Sequence, residues 1–209
     1  MTVIVAERLI TLCGETQHAG RPCALIRCAG CDLDCAWCDT LPARDPSAGR
    51  EQTLEELVAW SGSTGLRLVL LTGGEPLLQP RVPELARQLC AAGHEVLVET
   101  SGAHDISVLP APVMRSVDVK CPGSGQVERN RWDNLDRLRP GDAVKMVLAD
   151  RQDYEFARQV IARHELGTPV NILLSCAYPQ LEADTVAHWM IQDRLDARLN
   201  MQLHRILWP

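Results

Sequence analysis

The sequence predicts an α/β protein in which parallel strands form a barrel that does not close. Short apolar stretches such as Leu66–Leu71 and Ala143–Leu148 are typical of buried parallel strands. Segments with helix-start and helix-stop signals alternate with them, which is the pattern of helices packed outside a parallel sheet. Most predicted strands end in a polar loop with a glycine, and barrels of this kind carry their chemistry at those strand ends. Because fewer than eight full strand–helix units are recognisable, we expect a partial, open TIM-like barrel.

Eight segments are predicted to be strands because they are rich in Val, Ile and Leu and are bounded by Gly, Pro and polar residues. The first alternates loosely, whereas the second is almost continuously apolar and ends in Arg27, beside a cysteine-rich loop. In chain order the predicted strands are Val3–Leu12, Cys23–Arg27, Leu66–Leu71, Glu95–Glu99, Arg115–Val119, Ala143–Leu148, Val170–Leu174 and Met201–Leu203.

Five segments are predicted to be helices, and several of their ends carry capping signals. Thr53 opens a capping box, Asp150 is an N-cap, and Gly93 and Gly167 are stop signals. Between the strands and helices, Leu41–Gln52 has two prolines and mixed charges and is predicted to be a mobile loop. The predicted helices are Thr53–Ser61, Pro80–Ala92, Arg131–Leu138, Asp150–Leu166 and Glu182–Ala197.

Composition restricts the classes of function. A chain of 209 residues, 46% of them hydrophobic, is long enough for a sizeable core, and we expect one domain over residues 1–209. A net charge of −6 without a basic run disfavours nucleic-acid binding. No signal-peptide pattern or membrane-length apolar stretch is visible, so we expect a cytoplasmic protein without a membrane partner. In the reducing cytosol, nine cysteines are expected to serve as thiols and metal ligands.

The most specific motif is a group of three cysteines, Cys31, Cys35 and Cys38, within eight residues. Three thiolates can hold three irons of a 4Fe-4S cluster, whereas electron-carrier clusters take four cysteines, so one iron would stay open for an exchangeable ligand. Adding Cys28 makes two Cys-x2-Cys pairs, which leaves a zinc site or a four-cysteine electron carrier as alternatives. The spacer between those pairs has only three residues, and zinc motifs use about 12 to 20.

This Cys-x3-Cys-x2-Cys motif resembles the signature of the radical S-adenosylmethionine superfamily. Thr72-Gly73-Gly74-Glu75-Pro76 resembles the second motif of that superfamily, which implies that Gly74 meets the amino group of S-adenosylmethionine. Glycine is suited to this position because it lets backbone atoms approach a ligand closely. The resemblance implies a barrel of the radical S-adenosylmethionine type, with a 4Fe-4S cluster and S-adenosylmethionine as cofactors. It also implies cleavage of S-adenosylmethionine to a 5′-deoxyadenosyl radical that abstracts a hydrogen atom from the substrate.

Other segments resemble the 7-carboxy-7-deazaguanine synthase family over nearly the whole chain. They are Leu12-Cys13-Gly14-Glu15, Arg27, Cys38-Asp39-Thr40, Glu99-Thr100-Ser101-Gly102 and the tail Gln202–Pro209. The resemblance implies a carbon–nitrogen lyase that converts 6-carboxy-5,6,7,8-tetrahydropterin to 7-carboxy-7-deazaguanine by radical ring contraction with loss of ammonia. That product enters the biosynthesis of queuosine and other 7-deazapurines. The resemblance also implies a homodimer and a flavodoxin-type or other low-potential electron donor.

The same resemblance implies roles for individual residues, with no catalytic residue beyond the cluster and the cofactor radical. Thr40 is implied as a magnesium ligand shared with the substrate carboxylate, and magnesium commonly takes few protein ligands. Arg27 would form a bidentate pair with the carboxylate of the pterin. The implied pterin contacts are Leu12, Cys13, Gly14, Arg27, Thr72 and the carboxylate of Pro209. The implied S-adenosylmethionine contacts are Trp37, Cys38, Asp39, Gly74, Glu99, Ser101, Asp118, Val119, Lys120, Ser175, Cys176, Ala177, Tyr178 and His204.

Three positions depart from the family pattern. Thr16 replaces a usual glycine, which should stiffen the substrate loop, and Ser101 replaces a common asparagine, which should shorten that contact or route it through water. The stretch Asp118-Val119-Lys120 replaces a usual Ser-Pro-Lys and resembles the Asp-x-Lys of glycyl-radical activating enzymes. An activating enzyme with a large protein partner is therefore the second hypothesis.

Overall fold

A single mixed sheet of nine strands organises the protein. The computed structural model describes residues 1–208, so the predicted pterin contact from Pro209 lies outside the described residues. The strand order is β3-β1-β2-β4-β5-β6-β7-β8-β9; β1 is antiparallel to both its neighbours, and β2 and β4 to β9 are parallel. The strands are β1 Thr2–Leu12, β2 Pro22–Cys28, β3 Arg50–Thr53, β4 Leu68–Gly73, β5 Glu95–Thr100, β6 Met114–Asp118, β7 Ala143–Leu148, β8 Asn171–Cys176 and β9 Arg198–Leu199.

The four longer helices cover the outer face of this sheet. Thr53 and Glu56 form the predicted capping box at the start of α1, and the Asp150 side chain caps α3 by accepting from the backbone N–H of Asp153. No helix among residues 1–208 is long and apolar enough to cross a membrane. The helices are α1 Leu54–Ser63, α2 Val82–Ala91, α3 Arg151–Arg163, α4 Ala183–Asp193 and α5 Leu203–Leu207.

Alternation along the strands separates the core from a polar cavity. In β4, Val69 and Leu71 pack in the core with α1 and α2, whereas Leu70 points to the other face and Thr72 follows it toward the cavity. The strands β2 and β5 repeat this order, with Arg27 and Glu99 on the cavity face one residue before each strand ends. Because side chains alternate with a period of two, one face becomes core and the other becomes the cavity wall. The cavity receives residues from β1, β2 and β4 to β8, so the sheet curves as a partial barrel.

The sheet remains open, and the loop of residues 13–20 crosses its concave face. Gln17 donates to the carbonyl of Gly141 at 2.9 Å, and the Nε2 atom of His18 lies 3.1 Å from the Sδ atom of Met114. The β1–β2 connection is thereby joined to the start of β6 and to the loop before β7. The strand order does not close on itself, and the predicted open barrel is confirmed.

The segment Leu41–Gln52, predicted to be a mobile loop, has regular structure. Its first part forms the 3-10 helices Leu41–Arg44 and Pro46–Ala48, and the Asp45 side chain caps the second by accepting from the N–H of Ser47 at 2.8 Å. Its last part forms most of β3, which pairs with the first residues of β1. The long first strand extends beyond its partner β2 and gives this short polar segment a hydrogen-bonding edge, which composition does not reveal.

Two further elements differ from the prediction. The segment predicted as helix Arg131–Leu138 is the 3-10 helix Trp132–Arg137, and the last strand lies at β9 rather than at Met201–Leu203. Leu203 instead begins the short helix α5. The register of β9 beside β8 is set by tertiary pairing of only two residues, so sequence pattern alone could not locate it.

One buried ion pair fastens β6 to the loop before β7. Arg115 is fully buried, and Asp142 accepts from its backbone N–H at 3.0 Å and from its Nε at 2.9 Å. The variant Asp142→Ala should lower the free energy of unfolding by about 3 to 5 kcal/mol, because it leaves a buried guanidinium without its carboxylate. Urea denaturation measures this loss. The exposed Asp136→Ala variant is the control and should match the wild type; equal stability of Asp142→Ala would contradict a structural role for the pair.

Candidate active site

A cavity of about 700 Å³ lies on the concave face at the C-terminal ends of the parallel strands. The loop of residues 30–40, the ends of β4 to β8, the loop after β1 and the tail around α5 all contribute to its wall. Its size is within the usual range for sites that hold a cofactor or a small molecule. Barrels of the predicted kind carry their functional residues at the C-terminal ends of the strands, which is where this cavity lies.

The three cysteines of the motif all face this cavity. Cys31, Cys35 and Cys38 are partly exposed and belong to its lining. Burial raises the pKa of the Cys31 and Cys35 thiols, so binding of iron would have to displace their protons. Because one short loop supplies all three thiols, the donor set fits a 4Fe-4S cluster with one iron open to an exchangeable ligand.

Cys28, the fourth cysteine near the motif, lies in the core and not in the cavity lining. Cys28 is fully buried and packs in the core between the sheet and the helices α1 and α2. Burial raises the pKa of its thiol to about 12, which disfavours the thiolate that a metal needs. Strand alternation explains the placement, since Cys28 follows Ile26 on the core face while Arg27 faces the cavity. The zinc and four-cysteine alternatives therefore lack their fourth ligand.

The Thr72–Pro76 turn is packed directly on the cysteine loop. A Cβ atom on Gly74 would lie 2.3 Å from the carbonyl oxygen of Gly30, so only glycine fits here. The N–H of Glu75 donates to that same carbonyl at 2.8 Å. These contacts fix the second motif against the first and expose the Gly74 backbone to the cavity.

The glutamate of this motif is structural. Glu75 is fully buried, and its carboxylate accepts from the hydroxyl of Thr100 and the backbone N–H of Leu77, each at 2.8 Å. Its other oxygen accepts from the backbone N–H of Ser101 at 2.6 Å. The carboxylate therefore joins the end of β4 to the end of β5 and positions Ser101 on the cavity wall.

The variant Glu75→Gln should lower the free energy of unfolding by about 1 to 3 kcal/mol and weaken S-adenosylmethionine binding. An amide offers one acceptor oxygen in place of two, so at least one buried donor among Leu77, Thr100 and Ser101 loses its partner. Thermal unfolding and calorimetric titration measure the two effects. The exposed Glu55→Gln variant on α1 is the control; a Glu75→Gln protein with wild-type values of both would show that the carboxylate is dispensable.

Charged side chains meet at the centre of the cavity wall. The Nζ atom of Lys145 lies 3.1 Å from Oε2 of Glu15 and 3.4 Å from Oδ1 of Asp118, and Asp118 also pairs with Lys120 at 2.6 Å. Burial opposes the charge of Lys145, but Asp118, Glu15 and Glu99 outweigh it and raise its pKa well above the usual value. Desolvation raises the pKa of Glu99, whose carboxylate accepts from Thr72 at 2.8 Å.

The loop after β1 and the tail form the other side of the cavity. The N–H of Leu203 donates to the carbonyl of Gly14 at 2.8 Å, and a Cβ atom on Gly14 would lie 2.4 Å from Nδ1 of His204. Gln202 donates to Glu15 at 2.8 Å and to Asp39 at 2.9 Å. The tail is therefore hydrogen-bonded both to the loop of residues 13–20 and to the end of the cysteine loop.

Comparison with known proteins agrees with this geometry. A sequence profile described as the Radical SAM superfamily matches residues 25–111, which include the cysteine motif and the Thr72–Pro76 turn. A 7-carboxy-7-deazaguanine synthase of Koribacter versatilis is 38% identical over 98% of this chain and 96% of that protein. The chain belongs to the 7-carboxy-7-deazaguanine synthase family. A synthase of Methanospirillum hungatei is 37% identical over 97% of this chain and 84% of its own length.

Solved structures show the same fold. QueE from Escherichia coli superposes with a TM-score of 0.79 at 25% identity, covering 97% of this chain and 94% of that one. SuiB from Streptococcus suis, solved with S-adenosylmethionine bound, has a TM-score of 0.53 at 13% identity and covers 81% of this chain and 44% of its own. The second likeness shows the fold alone. As a radical S-adenosylmethionine protein, a member of this synthase family requires a 4Fe-4S cluster and S-adenosylmethionine.

Most residues predicted from the family resemblance line the cavity. Their roles in binding stay predictions. The predicted site residues found in the lining are Leu12, Gly14, Arg27, Cys31, Cys35, Trp37, Cys38, Asp39, Thr40, Thr72, Gly74, Glu99, Ser101, Asp118, Lys120, Cys176, Ala177, Tyr178 and His204.

Three predicted contacts have side chains outside this lining. Cys13 is fully buried beneath it, packed with Cys23 and neighbouring leucines. Val119 lies in the core under β6 and β7, as alternation after Asp118 requires. The hydroxyl of Ser175 accepts from Asn200 at 2.7 Å and is buried.

Several lining residues were missed by sequence reasoning. Lys145 had a visible signal, because it is a lone charge within an apolar strand. Glu15 belongs to the Leu12-Cys13-Gly14-Glu15 segment, but the sequence predicts no role for it. Gln202, Arg205 and Trp208 belong to the tail, whose path over the cavity depends on tertiary contacts that no local pattern encodes.

Proposed function

We propose that the protein converts 6-carboxy-5,6,7,8-tetrahydropterin to 7-carboxy-7-deazaguanine, as a radical S-adenosylmethionine lyase that supplies queuosine and related 7-deazapurines. Substrate and product differ by one ammonia, so the conversion is a carbon–nitrogen bond cleavage without net oxidation. The observation that carries the proposal is that the cysteine loop and Arg27 face one cavity in a chain 38% identical to a named synthase. When bound, the cluster and S-adenosylmethionine supply the radical chemistry that abstracts a hydrogen atom.

In this proposal, Arg27 anchors the carboxylate of the pterin. Its Nε donates to Glu7 at 2.5 Å, and its side chain is 22% exposed. Within residues 1–208, this is the one ion pair of Arg27, and its two terminal nitrogens remain as donors for a bidentate carboxylate. Glu7 fixes the guanidinium from the edge of the sheet, so less side-chain entropy is lost when the substrate binds.

The acidic side chains that line the cavity are suited to the aminopyrimidinone of the pterin, which offers several N–H donors. Glu99 and Glu15 are two of these carboxyl groups, and Thr72 donates to Glu99 at 2.8 Å. An acceptor here recognises ring N–H groups, and a substrate that lacks them would leave carboxylates unpaired. Pairing of this kind supplies specificity for a pterin over other small carboxylic acids.

We also infer that magnesium binds at Thr40 together with the substrate carboxylate. The hydroxyl of Thr40 donates to Asp39 at 2.8 Å, and ligand atoms of Asp39, Glu15 and His204 lie within 4.8 Å of one another. Hydroxyl and carboxylate oxygens are the ligands that magnesium prefers, and it keeps several waters. Oxygen donors from both the protein and the substrate would then meet beside the cysteine loop.

The remaining parts of the proposal concern the protein as a whole. One sheet runs from residue 2 to residue 199, which supports a single domain whose tail completes the substrate site. Partial exposure of the cluster cysteines supports electron entry from a flavodoxin-type or other low-potential donor. The nine cysteines all lie within residues 1–208 and form no disulfide there, which supports a reducing, cytoplasmic setting. The homodimer rests on the family resemblance.

The test is anaerobic turnover of the reconstituted protein with S-adenosylmethionine, a low-potential reductant and 6-carboxytetrahydropterin, with and without magnesium. Mass spectrometry measures 7-carboxy-7-deazaguanine and 5′-deoxyadenosine. Product beyond one turnover supports the proposal, and faster turnover with magnesium supports the metal site. Formation of 5′-deoxyadenosine alone would leave the radical chemistry in place and overturn the substrate assignment.

A further inference from the structure

Lys145 occupies an unusual position in the sheet. It lies in the middle of β7, where Val144 and Met146 pack into the core on the helix side. Strand alternation turns Lys145 and Val147 to the cavity instead, and the lysine side chain is only 12% exposed. A buried lysine in an apolar strand is costly unless carboxylates offset its desolvation, so its surroundings indicate its role.

Two carboxylates from distant parts of the chain share this ammonium group. Glu15, from the loop after β1, lies 3.1 Å from the Nζ atom, and Asp118, at the end of β6, lies 3.4 Å from it. Lys120 also pairs with Asp118, at 2.6 Å. Among residues 1–208, Lys145 is the cation that pairs with both carboxylates.

We assign the two carboxylates to different halves of the cavity by the predicted contacts beside them. Glu15 directly follows Gly14, a predicted pterin contact, and its carboxylate accepts from Gln202 at 2.8 Å and from Asn200 at 3.3 Å. Asp118 lies beside the cysteine loop, where S-adenosylmethionine is expected. We propose that Lys145 is a positioning residue that holds Glu15 and Asp118 in place together, and so sets the distance between the pterin and S-adenosylmethionine. This inference rests on the proposed function.

Charge balance gives the physical reason. Glu15, Asp118 and the nearby Glu99 are three carboxyl groups, and they face two ammonium groups, Lys120 and Lys145. Removing the charge of Lys145 leaves three carboxyls with a single ammonium group in a recessed site. The carboxyls must then take up a proton or rotate apart, and either change alters both halves of the cavity. Among residues 1–208, Lys120 pairs with Asp118 and not with Glu15, so removing Lys120 leaves the contact between Lys145 and Glu15 in place.

The test compares Lys145→Met with Lys120→Met in the cluster-reconstituted protein. Calorimetric titration measures the Kd of S-adenosylmethionine and, separately, of 6-carboxypterin, an oxidised form that is not turned over. We expect Lys145→Met to weaken both ligands about tenfold or more, the effect of a lost charge-assisted contact. Lys120→Met should weaken S-adenosylmethionine and leave 6-carboxypterin within about twofold. Lys145→Arg, which keeps the charge, should restore most of both affinities.

Other outcomes separate the inference from the proposed function. If Lys145→Met weakens one ligand only, or lowers the melting temperature while both Kd values stay unchanged, the positioning role is overturned. Lys145→Gln, which keeps a donor without the charge, is measured in parallel so that the result does not depend on the folding of one variant. A wild-type protein that neither binds 6-carboxypterin nor forms 7-carboxy-7-deazaguanine would overturn the proposed function itself.

Discussion

Replacing Cys35 by alanine should abolish both cluster assembly and turnover. Cys35 is one of three thiols that one loop presents to the cavity, and a cluster that already uses only three cysteines has no spare ligand. We expect cluster-bound iron, measured by iron analysis and by the visible absorption of the reconstituted protein, to fall to background. Neither 5′-deoxyadenosine nor 7-carboxy-7-deazaguanine should then form.

The matched control is Cys28→Ala. This cysteine is fully buried on the core face of β2, so the variant should lose about 1 to 2 kcal/mol of unfolding free energy and keep its iron. Loss of iron from Cys28→Ala with normal folding would mean that four cysteines hold the metal. That result would favour a four-cysteine electron carrier or a zinc site over a three-cysteine radical S-adenosylmethionine cluster.

Replacing Arg27 by alanine should lower kcat/KM for 6-carboxytetrahydropterin about 100-fold. The guanidinium faces the cavity and would make two charge-assisted hydrogen bonds to the substrate carboxylate, together worth about 3 kcal/mol. Most of the loss should appear in substrate affinity. Cluster content should be unchanged, since within residues 1–208 the side chain of Arg27 pairs with Glu7 and makes no hydrogen bond to the cysteine loop.

Two variants make the Arg27 result specific. Arg27→Lys keeps the charge but not the planar fork, so it should recover only part of the affinity. Arg67→Ala removes an exposed arginine that pairs with Glu95 outside the cavity, and its kinetics should equal those of the wild type. Wild-type affinity for the pterin in Arg27→Ala would show that another group binds the carboxylate.

Sequence reasoning located the regular elements well where the pattern was strong. The strand Ala143–Leu148 was predicted with its observed bounds, and the cap of α1 at Thr53 was also correct. Errors fell on short elements whose pairing is decided by distant residues. Polar β3 exists because β1 extends past β2, and two-residue β9 exists because β8 provides an edge.

Sequence motifs predict site residues that lie close together in the chain. They do not predict residues that the fold brings to the site from distant segments. Local spacing identified the cysteine loop and the Thr72–Pro76 turn, because their chemistry depends on neighbouring residues. Lys145 lies outside every motif, and its role depends on two carboxylates that the fold brings to it. Ser175 is a predicted S-adenosylmethionine contact, and no motif shows that its hydroxyl accepts from Asn200, a partner 25 residues away.

The contact between the loop of residues 13–20 and the C-terminal tail affects the order in which parts of the protein can fold during synthesis. The N–H of Thr16 donates to the side chain of Asn200 at 3.0 Å across 184 residues of sequence, whereas the cysteine loop is held partly by near neighbours, with the N–H of Cys31 donating to the carbonyl of Arg44 at 3.1 Å. A nascent chain emerges from its N-terminus, so contacts within residues 30–44 can form long before residue 200 is made. The cysteine loop can therefore take shape early, while the cavity wall formed by the loop of residues 13–20 and the tail gains its geometry only after residue 200 has been made.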